Sequence, residues 1–257
     1  MRFSPSIIVV AILTVATCLS QTRTVDKSTD SPAVKLQRMP ESLETRYALS
    51  AIPSRMRDNA TVYLLDPDKG YVMSRNGTNG FSCIVVRSDW QFPTQKFRDD
   101  IFWPVCFDAE GSKTLLQDYL TTAELRAKGM DSKQVYDFLT KKFKTSDYTN
   151  PRRTGVAYMI EPIMRTFGSS DVPLTMNMPH YMFYAPNVKN SDIGGNPLGN
   201  YPFVLSMSPG RDDYIIMLVG EAEKAKIVEE SKDLLNELCA YSKYLCTTEH
   251  AMMQKPE

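Results

Sequence analysis

Histidine, aspartate and glutamate brought together would hold a metal or exchange protons, and this chain offers only a few such residues in a suggestive pattern. Two histidines occur, His180 and His250. His180 follows Pro179 and opens an aromatic run, Tyr181-Met182-Phe183-Tyr184. An imidazole titrates near neutrality, which suits a metal ligand, a haem ligand or a general base. The position equally suits a histidine held by backbone hydrogen bonds at a strand end. His250 lies near the C-terminus, where no role is assigned to it. Asp108 and Glu110 flank Ala109 directly after Cys106. In an extended segment, residues two apart share a face, so the pair would converge on a metal or act as acid and base. In a turn they would instead be solvated, or cap a helix starting at Ser112. If Asp108, Glu110 and His180 meet, mixed oxygen and nitrogen donors suit a divalent metal. Arg152-Arg153, behind Pro151, would clamp a carboxylate or phosphate, or else are ordinary surface arginines. With Tyr184 at the end of the aromatic run, the ligand-binding candidates are His180, Asp108, Glu110, Arg152 and Tyr184.

Other motifs fail on spacing. Asp66-Pro67-Asp68-Lys69-Gly70 starts like a calcium loop, but that pattern needs glycine sixth and glutamate twelfth, where this chain has Tyr71 and Gly77. It reads as a turn. Gly194-Gly195-Asn196-Pro197-Leu198-Gly199 lacks the glycine spacing of a dinucleotide loop and carries proline where a helix would start; it reads as a long surface loop. The chain has no nucleophile elbow, no His-Glu-x-x-His and no phosphate-binding loop. No particular cofactor follows.

The elements that must position these residues begin behind an export signal. Arg2 precedes the apolar run from Ile7 to Ala16, and small residues lead to Ser20 before the polar Gln21-Thr22-Arg23. That is the layout of a secretory signal peptide over residues 1–20. The run is too short to span a bilayer, so no transmembrane helix is expected in the mature chain. Val15-Ala16-Thr17-Cys18 resembles a lipobox, with Thr17 departing from the usual small residue. Cys18 is therefore either a lipid anchor or discarded with the leader, and the latter is the simpler reading. Four cysteines remain, Cys83, Cys106, Cys239 and Cys246, and in an oxidising compartment four cysteines favour two bridges and disfavour thiol catalysis. Sequence proximity pairs Cys83 with Cys106 and Cys239 with Cys246. Seven helical residues rise about 10.5 Å, beyond the roughly 7 Å a bridge allows. The second pair closes only if the helix breaks near Lys243; otherwise both thiols are buried. Asn59-Ala60-Thr61 and Asn76-Gly77-Thr78 fit glycosylation acceptors, which matter only in a eukaryotic secretory host.

Residues 21–39 are rich in Thr, Ser, Asp and Lys and read as a flexible tether, leaving 40–257 as a single globular domain. Pro40-Glu41 starts a helix over about 41–51, with Leu43, Tyr47 and Ala51 on one face. Strands follow at 61–65, 71–73 and 81–86, the last two joined by Asn76-Gly77-Thr78-Asn79-Gly80 as a hairpin. Between Ser112 and Thr145 the period changes to helical. Gly129 ends a first helix, and Asp131 with Gln134 forms a capping box for a second. Further strands are expected at 156–160, 180–185, 203–206 and 214–219. Ile227, Val228, Ser231, Leu234, Leu235, Leu238 and Ser242 stripe one long C-terminal helix. The fold class is α+β, a mainly antiparallel sheet with a two-helix insertion and a long C-terminal helix.

Four blocks resemble a set of exported bacterial proteins of no assigned activity. They are Asn79-Gly80-Phe81-Ser82-Cys83, Cys106-Phe107-Asp108-Ala109-Glu110-Gly111, Pro151-Arg152-Arg153 with Tyr158-Met159, and Pro179-His180 through Phe183-Tyr184-Ala185-Pro186. The blocks come in the same order over residues 48–219. The resemblance implies export and brings no catalytic residue.

Thirty basic residues balance thirty acidic ones, which argues against nucleic acid, whose partners carry a basic stripe. The expected protein is secreted or periplasmic. The leading reading is a non-catalytic module of the cell envelope that binds a small molecule or an envelope partner. The alternative is a metal-assisted hydrolase or cofactor-binding redox protein centred on His180 with Asp108 and Glu110.

Overall fold

A computed structural model describes residues 34–167, 172–185, 187–197, 201–205 and 214–247. The leader, Cys18, residues 21–33 of the tether and His250 lie outside the described residues.

Alternating apolar residues build a mixed α/β structure around an eight-stranded, mostly antiparallel sheet. Helix α1 (Glu41–Ser50) precedes the strands β1 (Thr61–Asp66), β2 (Gly70–Arg75), β3 (Ser82–Val86) and β4 (Trp103–Phe107). A short α2 (Ala109–Lys113), α3 (Leu116–Ala127) and α4 (Ser132–Lys144) follow. Strands β5 (Val156–Met159), β6 (Met164–Phe167), β7 (Pro173–Met176) and β8 (His180–Tyr184) lead to α5 (Asn190–Ile193). The described chain finishes with β9 (Phe203–Leu205), β10 (Tyr214–Leu218), α6 (Glu221–Glu230) and α7 (Lys232–Tyr241). The sheet order is β2-β1-β3-β4-β5-β8-β10-β9, while β6 and β7 form a separate ribbon. That ribbon is tied to the domain by backbone bonds between Arg165 and Phe102 and by the Asp100 carboxylate, which receives Arg165 and Arg98.

One sheet face carries Ile84, Val105, Phe107, Ala157, Met159, Met182, Tyr184 and Ile216, in one core with Leu116, Tyr119, Val135 and Leu139 of α3 and α4. The other carries Val62, Cys83, Val85 and Cys106, buried beneath Tyr47 and Ala48 of α1 and Leu234, Leu235 and Leu238 of α7. Local chemistry explains the helix starts. The Asp131 side chain accepts from Gln134 N and the Gln134 side chain accepts from Asp131 N, the expected capping box. Gly129, at φ +86°, stops the preceding helix.

The structure departs from the sequence expectations at several points. The second and third strands are not a hairpin: β2 pairs with β1 through the Asp66–Gly70 turn, and β3 lies parallel to β1 on its other side. The segment after β2 instead folds over the start of β1, where Thr78 N and Asn79 N both donate to Asn59 O. The single long C-terminal helix is two helices separated at Ser231, whose ψ of 9° departs from helical geometry. Strands β4, β6 and β7 were not foreseen. The first contains Pro104, and the other two pair only with each other, outside the main sheet.

Residues 34–39, assigned by composition to the tether, lie against the domain. Leu36 and Met39 are buried, and two buried arginines grip the backbone. Arg87 donates to Gln37 O, Asp99 O and Ile101 O, with its guanidinium 3.9 Å from the centre of the Phe102 ring. Arg126 donates to Val34 O, Arg98 O, Arg87 O and Ser88 Oγ. Burial, and then the charge of Arg87, lowers the Arg126 pKa to about 10.

Both disulfides form. Cys83 and Cys106 are cross-strand partners in β3 and β4, with Cα atoms 4.1 Å apart. Cys239 and Cys246 close at 4.4 Å. They can do so because α7 ends at Tyr241, Ser242 is extended, and a 3₁₀ turn over Lys243–Leu245 doubles the chain back.

Candidate functional site

Four of the five candidate residues converge at one end of the sheet. Asp108 follows β4 and caps α2, its Oδ1 accepting from Glu110 N at 3.1 Å and Gly111 N at 2.9 Å. Tyr184, the last residue of β8, donates its hydroxyl to the same oxygen at 3.1 Å. The second oxygen, Oδ2, accepts from Val156 N at 3.0 Å. Glu110 accepts from Arg152 N at 2.8 Å, and Arg153 Nε approaches its other oxygen at 3.7 Å. The Arg152 side chain itself is exposed.

The fit around Tyr184 depends on two glycines. A Cβ at Gly111 would overlap the Tyr184 hydroxyl, and one at Gly155 would overlap Asp108 Oδ2 and lie 2.7 Å from Tyr184 Cε2. Burial, reinforced by the Asp108 charge, raises the Tyr184 pKa well above the usual phenol value, so the hydroxyl stays a donor. Asp108 therefore has four donors on two oxygens and is engaged by its own fold. This corner ties the end of β8 and the start of β5 to the junction of β4 with α2.

His180 is not part of it. It begins β8, four residues from Tyr184, roughly 13 Å along a strand. Only 4% of it is exposed, and its Nδ1 lies 2.7 Å from Met178 O. Burial lowers its pKa, which keeps the ring neutral at neutral pH. Among the described residues, no three His, Cys, Asp or Glu side chains are grouped so as to hold a metal.

The more unusual surface is the outward face of β5, β8 and β10. An antiparallel sheet that meets water normally alternates apolar and polar residues. Here both faces are apolar. Met159, Met182 and Ile216 point into the core, and the alternate positions are Val156, Tyr158, Tyr181, Phe183, Ile215 and Met217. Those alternate residues are half-buried, except Met217, which is exposed. Register brings them side by side: Tyr158 faces Tyr181, Val156 faces Phe183, and both strand β8 residues face β10 across the next ladder. The rings of Phe81, Tyr158, Tyr181 and Phe183 run as a chain with centroid spacings of 5.8, 5.6 and 6.4 Å. Arg55 and Glu223 are close enough to affect the Tyr181 hydroxyl, whose pKa is raised chiefly by burial. Sequence reasoning singled out Tyr184 from this strand and missed its outward neighbours. The readable signal was that Tyr181-Met182-Phe183-Tyr184 offers no polar residue at either parity.

A mixed cavity of about 260 Å³ lies elsewhere, between residues 34–36, the β1–β2 turn and α3. A further unforeseen group is Glu161, 1% exposed, neither of whose carboxyl oxygens has a hydrogen-bond partner. Burial raises its pKa well above the usual carboxylate value. Among the described residues no helix is long and apolar enough to cross a membrane. No family model, curated protein or solved structure matches the chain.

Proposed function

We propose that this protein is an exported, non-catalytic binding module whose ligand or envelope partner lies on the aromatic face of β5, β8 and β10. The observation that carries the reading is the apolar identity of the outward positions Tyr158, Tyr181, Phe183 and Met217 on a sheet face only half withdrawn from water. Apolar patches that stay accessible characteristically mark sites of interaction, and tyrosines combine a flat apolar body with a polar tip. Two disulfides and the leader layout favour a site of action outside the cytoplasm. A metal-assisted hydrolase or redox centre on His180, Asp108 and Glu110 gains nothing from the geometry, since His180 sits at the far end of β8 from the carboxylates.

The test uses anilinonaphthalene sulfonate as an apolar probe, together with native mass spectrometry of the chain purified from an oxidising compartment. The wild type is expected to bind the probe saturably, and Tyr181→Lys combined with Phe183→Lys to weaken binding at least tenfold with the melting temperature retained. Probe binding that is absent, or unchanged in the double variant, refutes the assignment. Co-purified mass that disappears in the same variant would identify the ligand class.

A further inference from the structure

The two disulfides stand in different surroundings. Cys83 and Cys106 lie in the middle of the sheet, in β3 and β4, and neither is exposed. The Cys106 Sγ lies 3.5 Å from Ala48 O of α1, which closes that side. Cys239 is 6% exposed, whereas Cys246, beyond the end of α7, is only half-buried. An attacking thiolate must reach one sulfur of a disulfide, and Cys246 is the point it can reach.

The chain between Cys239 and Cys246 holds the β6–β7 ribbon. Thr175 of β7 donates its hydroxyl to Tyr244 O at 2.6 Å and accepts from Arg165 of β6 at 3.2 Å. The Arg165 guanidinium lies 4.7 Å from the centre of the Tyr244 ring. Leu245 is fully buried in the core that contains Phe102 and Ile163. The bridge therefore closes a short loop, and that loop grips a ribbon lying outside the main sheet.

We propose that the Cys239–Cys246 bridge is a redox latch on the β6–β7 ribbon, opened by a dithiol reductant while Cys83–Cys106 stays intact. One thiolate of the reductant attacks Cys246 Sγ. The bond between the two cysteine sulfurs breaks, and Cys239 leaves as a thiolate that takes up a proton. The second thiol of the reductant, as its thiolate, then displaces Cys246 from the mixed disulfide. Two electrons and two protons pass to the protein, and the reductant ends as a disulfide. The loop then loses its covalent closure, which removes the constraint holding the Lys243–Leu245 turn in place. Tyr244 and Leu245 leave their sites more often, and β7 loses the acceptor of its Thr175 hydroxyl. The ribbon stays tied through Arg165 to Phe102 and Asp100, so its release is partial and reverses on reoxidation.

Reduction of the folded, oxidised mature chain tests this without any substitution. Graded dithiothreitol, a thiol-blocking quench and peptide mapping should show Cys239 and Cys246 freed at least tenfold faster than Cys83 and Cys106. Hydrogen exchange should then quicken at least tenfold at the β6 and β7 amides, with β3 and β4 still protected. Reoxidation should restore the original rates. The double change Cys239→Ser with Cys246→Ser should show the fast ribbon in the absence of reductant. Both bridges reduced together, ribbon exchange that reduction leaves unchanged, or exchange that quickens equally throughout the chain overturns the proposal. None of these outcomes bears on the aromatic face.

Discussion

Tyr184 donates its hydroxyl to Asp108 across the end of the sheet at 3.1 Å, linking the last residue of β8 to the cap of α2. The two partners should respond unequally to mutation. Tyr184→Phe removes one of four donors from Asp108 and should cost about 1 kcal/mol, whereas Asp108→Ala strands two α2 amides, Val156 N and the phenol, costing about 3 kcal/mol. Urea unfolding of both variants measures the difference, and equal losses would show that the corner is not organised around the carboxylate.

Gly155 lies where any side chain must displace Tyr184 or Asp108. Gly155→Ala should destabilise by about 2 kcal/mol or more, and combined with Tyr184→Ala it should cost less than the sum of the two separate losses, because the ring overlap is counted in both. Additive effects in that double-mutant cycle would contradict the contact.

His180 belongs to the core face of β8, and Tyr181 to the outward face. His180→Ala is therefore expected to lower thermal stability, by about 2–4 kcal/mol for a buried side chain of this size, with probe binding unchanged. Loss of binding with full stability would restore His180 to a ligand site.

Two buried carboxyls make stability depend on pH. Burial raises the Glu44 pKa to about 7, opposed by its bond from Leu65 N and by Arg87 and Arg38, and burial raises that of Glu161 further above 4.5. In the unfolded chain both release protons near 4.5, whereas in the folded protein they hold them. Stability is therefore full below about pH 4.5 and declines as pH rises toward about 7, by about 3 kcal/mol for Glu44. Denaturant midpoints measured from pH 4 to pH 8 should fall, and Glu44→Gln should flatten that fall. A wild-type midpoint that rises over this range would reverse the sign and refute it.

What could be read from sequence was mostly what neighbours in sequence decide. The capping box at Asp131, the stop at Gly129 and the turn at Asp66–Gly70 are settled within five residues, and all three form. The partner of β3 is not local. Chain proximity favoured β2, whereas β3 lies parallel to β1 on its other side. The candidate cluster divides the same way. Asp108 and Glu110 fall together because they are two residues apart, and Tyr184 joins them through strand register. His180 shares a strand with Tyr184 yet is carried to its opposite end. The glycines that make the corner fit, Gly111 and Gly155, have no signature, since what a glycine avoids touching depends on the folded neighbours.

The grip of Arg87 and Arg126 on the backbone at Gln37 and Val34 sets where the autonomous unit begins. A chain trimmed to start at Pro40 keeps every described helix and strand, yet leaves interior guanidinium groups missing two of their acceptors. The packed unit thus extends through an irregular stretch of six residues ahead of its first helix. Recombinant versions that begin at Val34 should be soluble and cooperative, while those beginning at Pro40 should become sensitive to proteases.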